Sequence, residues 1–221
     1  MDVPAGVALA DAAAIPEVFI TAYDALVVQG GLTSGRRCLV HAGASGVGTA
    51  AIQLAKAIGA RIAVTCSEAK VEACRELGAD VVIDYRVDDF AEVVASWTND
   101  TGVDVVLDVI GGEYLTRNIA SVRVGGRIIQ VGVMGSSTAT FPLGMLLPKR
   151  AALVGTVLRS RPLEQKIAIT QRVAAEVLPM FESGQLRPVI DSRYDLSDIA
   201  DAHRYMASNA NVGKIMIDVA R

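Results

Sequence analysis

Six residues, Gly43-Ala44-Ser45-Gly46-Val47-Gly48, carry the strongest chemical signal in the chain. Glycines at such spacing remove the Cβ atoms that would keep a pyrophosphate away from the backbone. A helix starting there adds free N–H groups and a positive dipole end. The spacing departs from a strict G-x-G-x-x-G, because Ser45 stands where the second glycine belongs and Gly46 follows it. The P-loop alternative, G-x-x-x-x-G-K-[ST], fits Gly43 and Gly48 but needs a lysine where Thr49 stands, so no side-chain cation would reach a terminal phosphate. The plainer reading is a tight turn with close helix–strand packing.

The context decides for a dinucleotide. The turn follows a short apolar run, Cys38 to Ala42, that reads as a strand. It precedes Ala50, Ala51, Leu54, Ala55 and Ile58 at helical spacing, stopped by Gly59. From Arg37 onward strand and helix signals alternate, which predicts an α/β fold: a Rossmann-type, six-stranded, doubly wound parallel sheet. Strands are expected at 61–66, 80–84, 103–109, 127–131 and 151–157. Helices are expected at 68–77, 90–97, 114–122 and, as one long element, 164–181. Ahead of these lies a lead-in helix from Ile15 to Val28. Behind them, 186–194, 196–207 and 213–219 read as strand, helix and strand with no place in a finished sheet. The organisation is therefore 1–34 lead-in, 35–184 dinucleotide-binding domain and 185–221 a tail in another layer.

In such a sheet the ligand lies at the carboxyl ends of the strands. After the second strand stand Cys66 and Ser67, not the carboxylate that would accept from an NAD ribose. Ser67 and Lys70, with Tyr85 and Arg86 after the third strand, offer donors to a 2′-phosphate, so the cofactor expected is NADPH. The turns Asp108-Val109-Ile110-Gly111-Gly112 and Val131-Gly132-Val133-Met134-Gly135 let backbone approach a flat ring such as nicotinamide.

Other classes fit less well. None of the five tyrosines has a lysine four residues on, as a short-chain dehydrogenase requires. The two histidines, His41 and His203, are too few for zinc alcohol dehydrogenase ligands and read as structural. Three cysteines, Cys38, Cys66 and Cys74, read as reduced core residues and not as a disulfide frame or metal site. A net charge of −3 with few basic clusters argues against nucleic acid and anionic membrane. With no leader and no apolar run of spanning length, a cytoplasmic protein is expected.

The runs HAGASGVGTAAIQLAKAIGA, LGAD with IDYR, DVIGG, GRIIQVGVMG and NANVGKIMID together resemble the zinc-independent quinone oxidoreductase (zeta-crystallin-like) branch of the medium-chain dehydrogenases/reductases. The resemblance covers nearly the whole chain from about Pro4. It implies that Thr21, Gly46, Val47, Gly48, Lys70 and Tyr85 contact NADPH, and that residues around Val109, Gly132, Val133 and Leu158 line the nicotinamide end. It further implies hydride transfer to a quinone or activated alkene, with no catalytic acid identifiable. A homodimer is expected through the apolar strand 151–158. The tail would be a remnant of a GroES-like catalytic domain, which such enzymes carry ahead of the lead-in helix and this chain lacks, leaving it weakly active or inactive alone. An enoyl reductase module of a polyketide or fatty-acid synthase uses the same domain and chemistry and stands as the alternative. A non-catalytic NADPH-binding module is the other.

Overall fold

The computed structural model describes residues 1–219. Two helices lead in, α1 (Leu9–Ala12) and α2 (Pro16–Tyr23), with Pro16 in the first turn of α2, where its missing N–H costs nothing. The helix does not continue unchanged to Val28. From Asp24 to Gln29 the chain widens into a π-helical turn, the kind of irregularity that re-aims a side chain. The widening coincides with Asp24, whose buried carboxylate is held by Arg161 and Thr156.

Strands and helices then alternate. They are β1 (Arg37–Val40), α3 (Gly46–Ala57), β2 (Arg61–Cys66), α4 (Val71–Glu76), β3 (Val81–Asp84), α5 (Phe90–Thr98), β4 (Val103–Asp108), α6 (Tyr114–Ser121), β5 (Val122–Gln130), α7 (Leu146–Lys149) and β6 (Ala152–Gly155). All pairings among the six strands are parallel, in the order β3-β2-β1-β4-β5-β6. Parallel neighbours need crossovers, so helices cover both faces and the central strands can be apolar throughout. One face packs Phe19, Leu26, Ile52, Leu54 and Phe181; the other packs Phe90, Val94, Leu115 and Ile119.

Four boundaries differ from expectation, the simplest being β6, which stops at Gly155 and not at Val157. β5 starts at Val122 and not at Arg127, because Gly125 (φ +75°) and Gly126 carry a bulge between the pairings of Val103 and Val105. The long helix breaks into α8 (Leu163–Glu176) and α9 (Leu178–Glu182), since Pro179 has no N–H for the Ala175 carbonyl. The tail strand β7 (Ile190–Asp195) begins four residues late. Leu186 is in the core, and the Gln53 side chain holds the Arg187 backbone at both its N–H (2.9 Å) and C=O (3.1 Å).

After α10 (Ile199–Ala207), β8 (Lys214–Asp218) pairs with β7 in a separate two-stranded parallel sheet. This tail is not loose. Gly213 N–H donates to the Ala44 carbonyl at 2.8 Å, tying it to the glycine turn. The three cysteines are free and buried. Among the described residues no helix is long and apolar enough to cross a membrane.

Candidate functional site

The site is built at the carboxyl ends of β1 and β4, where the strand order reverses. After His41, Ala42 takes a left-handed conformation (φ +57°) and turns the chain across the sheet edge. Ser45 caps α3 by accepting from Gly48 N–H at 3.1 Å, and its carbonyl takes the Thr49 N–H. The first-turn amides of Gly46 and Val47 are left for an anion.

Space shows what each glycine does. A Cβ on Gly43 would come within 2.5 Å of the Val64 side chain, and one on Gly48 within 2.3 Å of the Ala42 carbonyl oxygen. Gly46 faces Val18 and the Lys214 stem. This cradle fits a pyrophosphate on backbone and dipole alone.

At the end of β2, the structure places the expected donors differently from one another. Ser67 is buried and Tyr85 exposed, with the Arg86 guanidinium 5.9 Å from its ring. Lys70 is not the open cation the sequence implied. It is 7% exposed, and its Nζ donates to Asn209 Oδ1 of the tail at 2.9 Å. Burial holds its pKa below the ordinary lysine value.

The turns after β4 and β5 lock onto each other. Met134 and Gly135 N–H donate to the carbonyls of Val109 and Ile110 at 3.0 and 2.9 Å, and Gln130 Nε2 donates to the Gly132 carbonyl at 2.7 Å. Val133 is half exposed above them.

Beside these turns opens a cleft of about 640 Å³ between α2, the β5 end, the segment 156–159 and α8. Ile20, Val47, Val131, Leu158 and Ile169 make its walls apolar; Thr21, Asp24, Thr156, Arg159 and Lys166 add polar groups. Of the expected contact residues, Thr21, Val47 and Leu158 line this cleft. Gly43, Ser45, Gly46 and Gly48 form the cradle; Ser67, Lys70 and Tyr85 stand at the β2 and β3 ends. Val109, Ile110, Gly132 and Val133 form the interlocked turns.

Asp24, 1% exposed, is bound by Arg161 through both guanidinium nitrogens (3.0 and 2.5 Å) and by Thr156 Oγ1 (3.0 Å). Sequence reasoning missed this group and missed Asn209. An acidic residue inside an otherwise apolar helical stretch was the one available signal for Asp24. A second hollow, about 570 Å³, lies between Gln53, Lys56, Glu76 and Arg187, away from the strand ends, and holds none of the expected residues.

Residues 77–217 match the family described as zinc-binding dehydrogenase. The chain belongs to this family, in the medium-chain dehydrogenase/reductase superfamily, and carries its Rossmann-type domain. NorB of the spectinabilin polyketide synthase system of Streptomyces orinoci is 37% identical over 211 residues, 93% of this chain and 9% of that protein. The CurK enoyl reductase structure superposes with a TM-score of 0.84 at 29% identity, covering 98% of this chain and 64% of that one. An NAD-dependent alcohol dehydrogenase superposes with a TM-score of 0.85 at 30% identity, covering 100% and 62%.

The chain thus spans about a tenth of the curated synthase, 9% of its length, and less than two thirds of either enzyme. The relatives do not support the quinone oxidoreductase branch and favour the polyketide synthase alternative. Among the described residues no three His, Cys, Asp or Glu groups are placed to hold a metal. Both ring nitrogens of His41 are already hydrogen-bonded. The residues present do not fit a zinc ion.

Proposed function

We propose that the chain is the cofactor-binding portion of an enoyl reductase of the polyketide synthase kind, reducing an activated alkene with NADPH. The observation that carries this reading is likeness to a synthase over 93% of the chain, together with an apolar cleft beside the strand-end cradle. The cofactor, when bound, supplies a hydride from its nicotinamide ring. The amides of Gly46 and Val47 bind its pyrophosphate, and the interlocked turns at Val109, Ile110, Gly132 and Val133 position its ring. Val47, Val131 and Leu158 exclude water beside it.

The test is NADPH oxidation by the full enzyme with a crotonyl thioester and with a benzoquinone. Thioester turnover at least about tenfold faster is expected, a difference of only about 1.4 kcal/mol in barrier. Faster quinone reduction restores the quinone reductase reading. Binding without turnover of either leaves a non-catalytic module.

NADPH is favoured over NADH because β2 ends at Cys66 and not at a carboxylate, and Asn209 holds the Lys70 ammonium in the turn that follows. A charge-assisted bond contributes roughly 1.5–3 kcal/mol. Lys70→Ala should therefore weaken NADPH by about ten- to a hundredfold and leave NADH nearly unchanged. Equal losses for both cofactors in titration calorimetry would show that Lys70 does not read the phosphate.

A two-fold dimer is proposed through β6. That strand is the sheet edge, and Leu153 and Val157 on and beside it are exposed. Val154→Lys and Val157→Pro should each shift the mass in light scattering from dimer toward monomer. An unchanged mass for both variants, or a monomeric parent, removes the idea.

A further inference from the structure

Four buried polar side chains at the point where the strand order reverses form one line. They are Thr65 in β2, His41 after β1, Asn118 on α6 and Asp108 at the end of β4, each no more than 2% exposed. His41 Nδ1 lies 3.1 Å from Thr65 Oγ1 and Nε2 lies 2.7 Å from Asn118 Oδ1. Asn118 Nδ2 lies 2.9 Å from Asp108 Oδ2.

The directions of these bonds are fixed by what each group can do. The Asp108 carboxylate offers only acceptor oxygens, so Asn118 turns its NH₂ to Asp108 and its carbonyl to His41. His41 Nε2 must then be the donor. Burial lowers the pKa of the imidazole, and nearby Arg117 acts the same way, while Asp108 and Asn118 oppose them. A neutral ring with its proton on Nε2 leaves Nδ1 to accept from the Thr65 hydroxyl. Phe90 and Tyr114 stand edge-on to the ring at 4.7 and 4.8 Å and prevent it from turning.

Both ends of the line reach backbone. Ala42 N–H donates to Thr65 Oγ1 at 3.3 Å, at the left-handed residue that opens the glycine turn. Asp108 Oδ1 takes the N–H groups of Ile110 (2.6 Å) and Gly111 (3.0 Å) in the other turn.

We propose that Thr65, His41, Asn118 and Asp108 form a directed hydrogen-bond relay that fixes the turns 42–48 and 109–112 relative to each other. His41 and Asn118 are then positioning residues for hydride transfer. That last step rests on the cofactor reading above. If the two turns grip different parts of one ligand, slippage between them misplaces the reacting ring more than it weakens binding.

The test has readouts with and without cofactor. In ¹⁵N-histidine NMR of the cofactor-free protein, His41 should carry its proton on Nε2 at neutral pH; a proton on Nδ1 overturns the relay's direction. In Asn118→Leu, and in the milder Thr65→Val, amide exchange at Ile110 and Gly111 should quicken about three- to tenfold. With an enoyl thioester, kcat should fall about tenfold while NADPH affinity stays within about threefold. Thr65→Ser, which keeps the hydroxyl, should restore both. Unchanged exchange at Ile110 and Gly111 in both variants, or a Thr65→Ser loss equal to that of Thr65→Val, overturns the relay. A parent that binds no NADPH removes the cofactor reading while the NMR and exchange results still judge the relay.

Discussion

Gly48→Ala will remove nicotinamide-cofactor binding, and Gly46→Ala will weaken it far less. The difference lies in what a new methyl meets. At Gly48 it falls 2.3 Å from the Ala42 carbonyl oxygen and 2.5 Å from that of Gly43. These are backbone atoms, so α3 must withdraw from the strand ends. At Gly46 the nearest atoms are Lys214 Cδ at 2.7 Å and Val18 Cγ1 at 2.9 Å. The lysine stem can swing aside, and the buried Val18 side chain must shift, but no backbone atom blocks the methyl.

A displacement of about 1 Å of the helix start can cost a hundredfold where positioning matters. Overpacking of this kind destabilises by about 1–3 kcal/mol. Calorimetric titration with NADPH and NADH, beside thermal melts, checks both effects. Binding by Gly48→Ala within about threefold of the parent would mean the turn does not cradle the cofactor through this contact.

The second large effect is expected at the floor of the cleft. Arg161→Met keeps length and apolar packing but strips the cation from Asp24, whose side chain is 2% exposed against 16% for Arg161. Breaking a buried pair on one side costs about 3–5 kcal/mol, because the remaining charge is neither solvated nor paired. The Thr156 hydroxyl, 3.0 Å from Asp24 Oδ2, compensates only in part. The segment 156–161 that walls the cleft should loosen with it. Asp24→Asn combined with Arg161→Met removes both charges and should recover most of the loss. Urea unfolding of the two single variants and the double gives the coupling directly. Arg161→Met within about 1 kcal/mol of the parent would show that packing, not the ion pair, holds this wall.

Where the sequence was legible, the determining contacts were local. β1, the glycine turn and α3 lie within one short stretch, and their order alone predicts the crossover and the parallel sheet. The near-continuous apolar run of β4 marks a strand buried on both faces. What stayed hidden depends on partners far apart. Lys70 reads as a free surface cation until Asn209, 139 residues away, is seen to hold it. His41 reads as structural, with no sign that Asn118, 77 residues on, connects it to Asp108. No periodicity records such pairings. The break before Pro179 is different: its cause stands in the sequence, but the apolar spacing on either side continues in phase and masks it.

Gly213 closes on Ala44, and Lys214 lies across Gly46. During synthesis the glycine turn leaves the ribosome early and waits unfinished until the residues after α10 have emerged. Closing so long a loop adds little to the free-energy cost, which grows only with the logarithm of length. It does delay the contact, since distant pairings form late. A nascent chain stalled before Gly213 can hold all six strands and still lack the segment over its cradle. Ligand therefore stabilises the chain by mass action once Gly213 has closed on Ala44, and gives little help to the intermediates before it. Cofactor added to a cell-free translation mixture should rescue variants that unfold after Gly213 has closed on Ala44, and not those that fail before it.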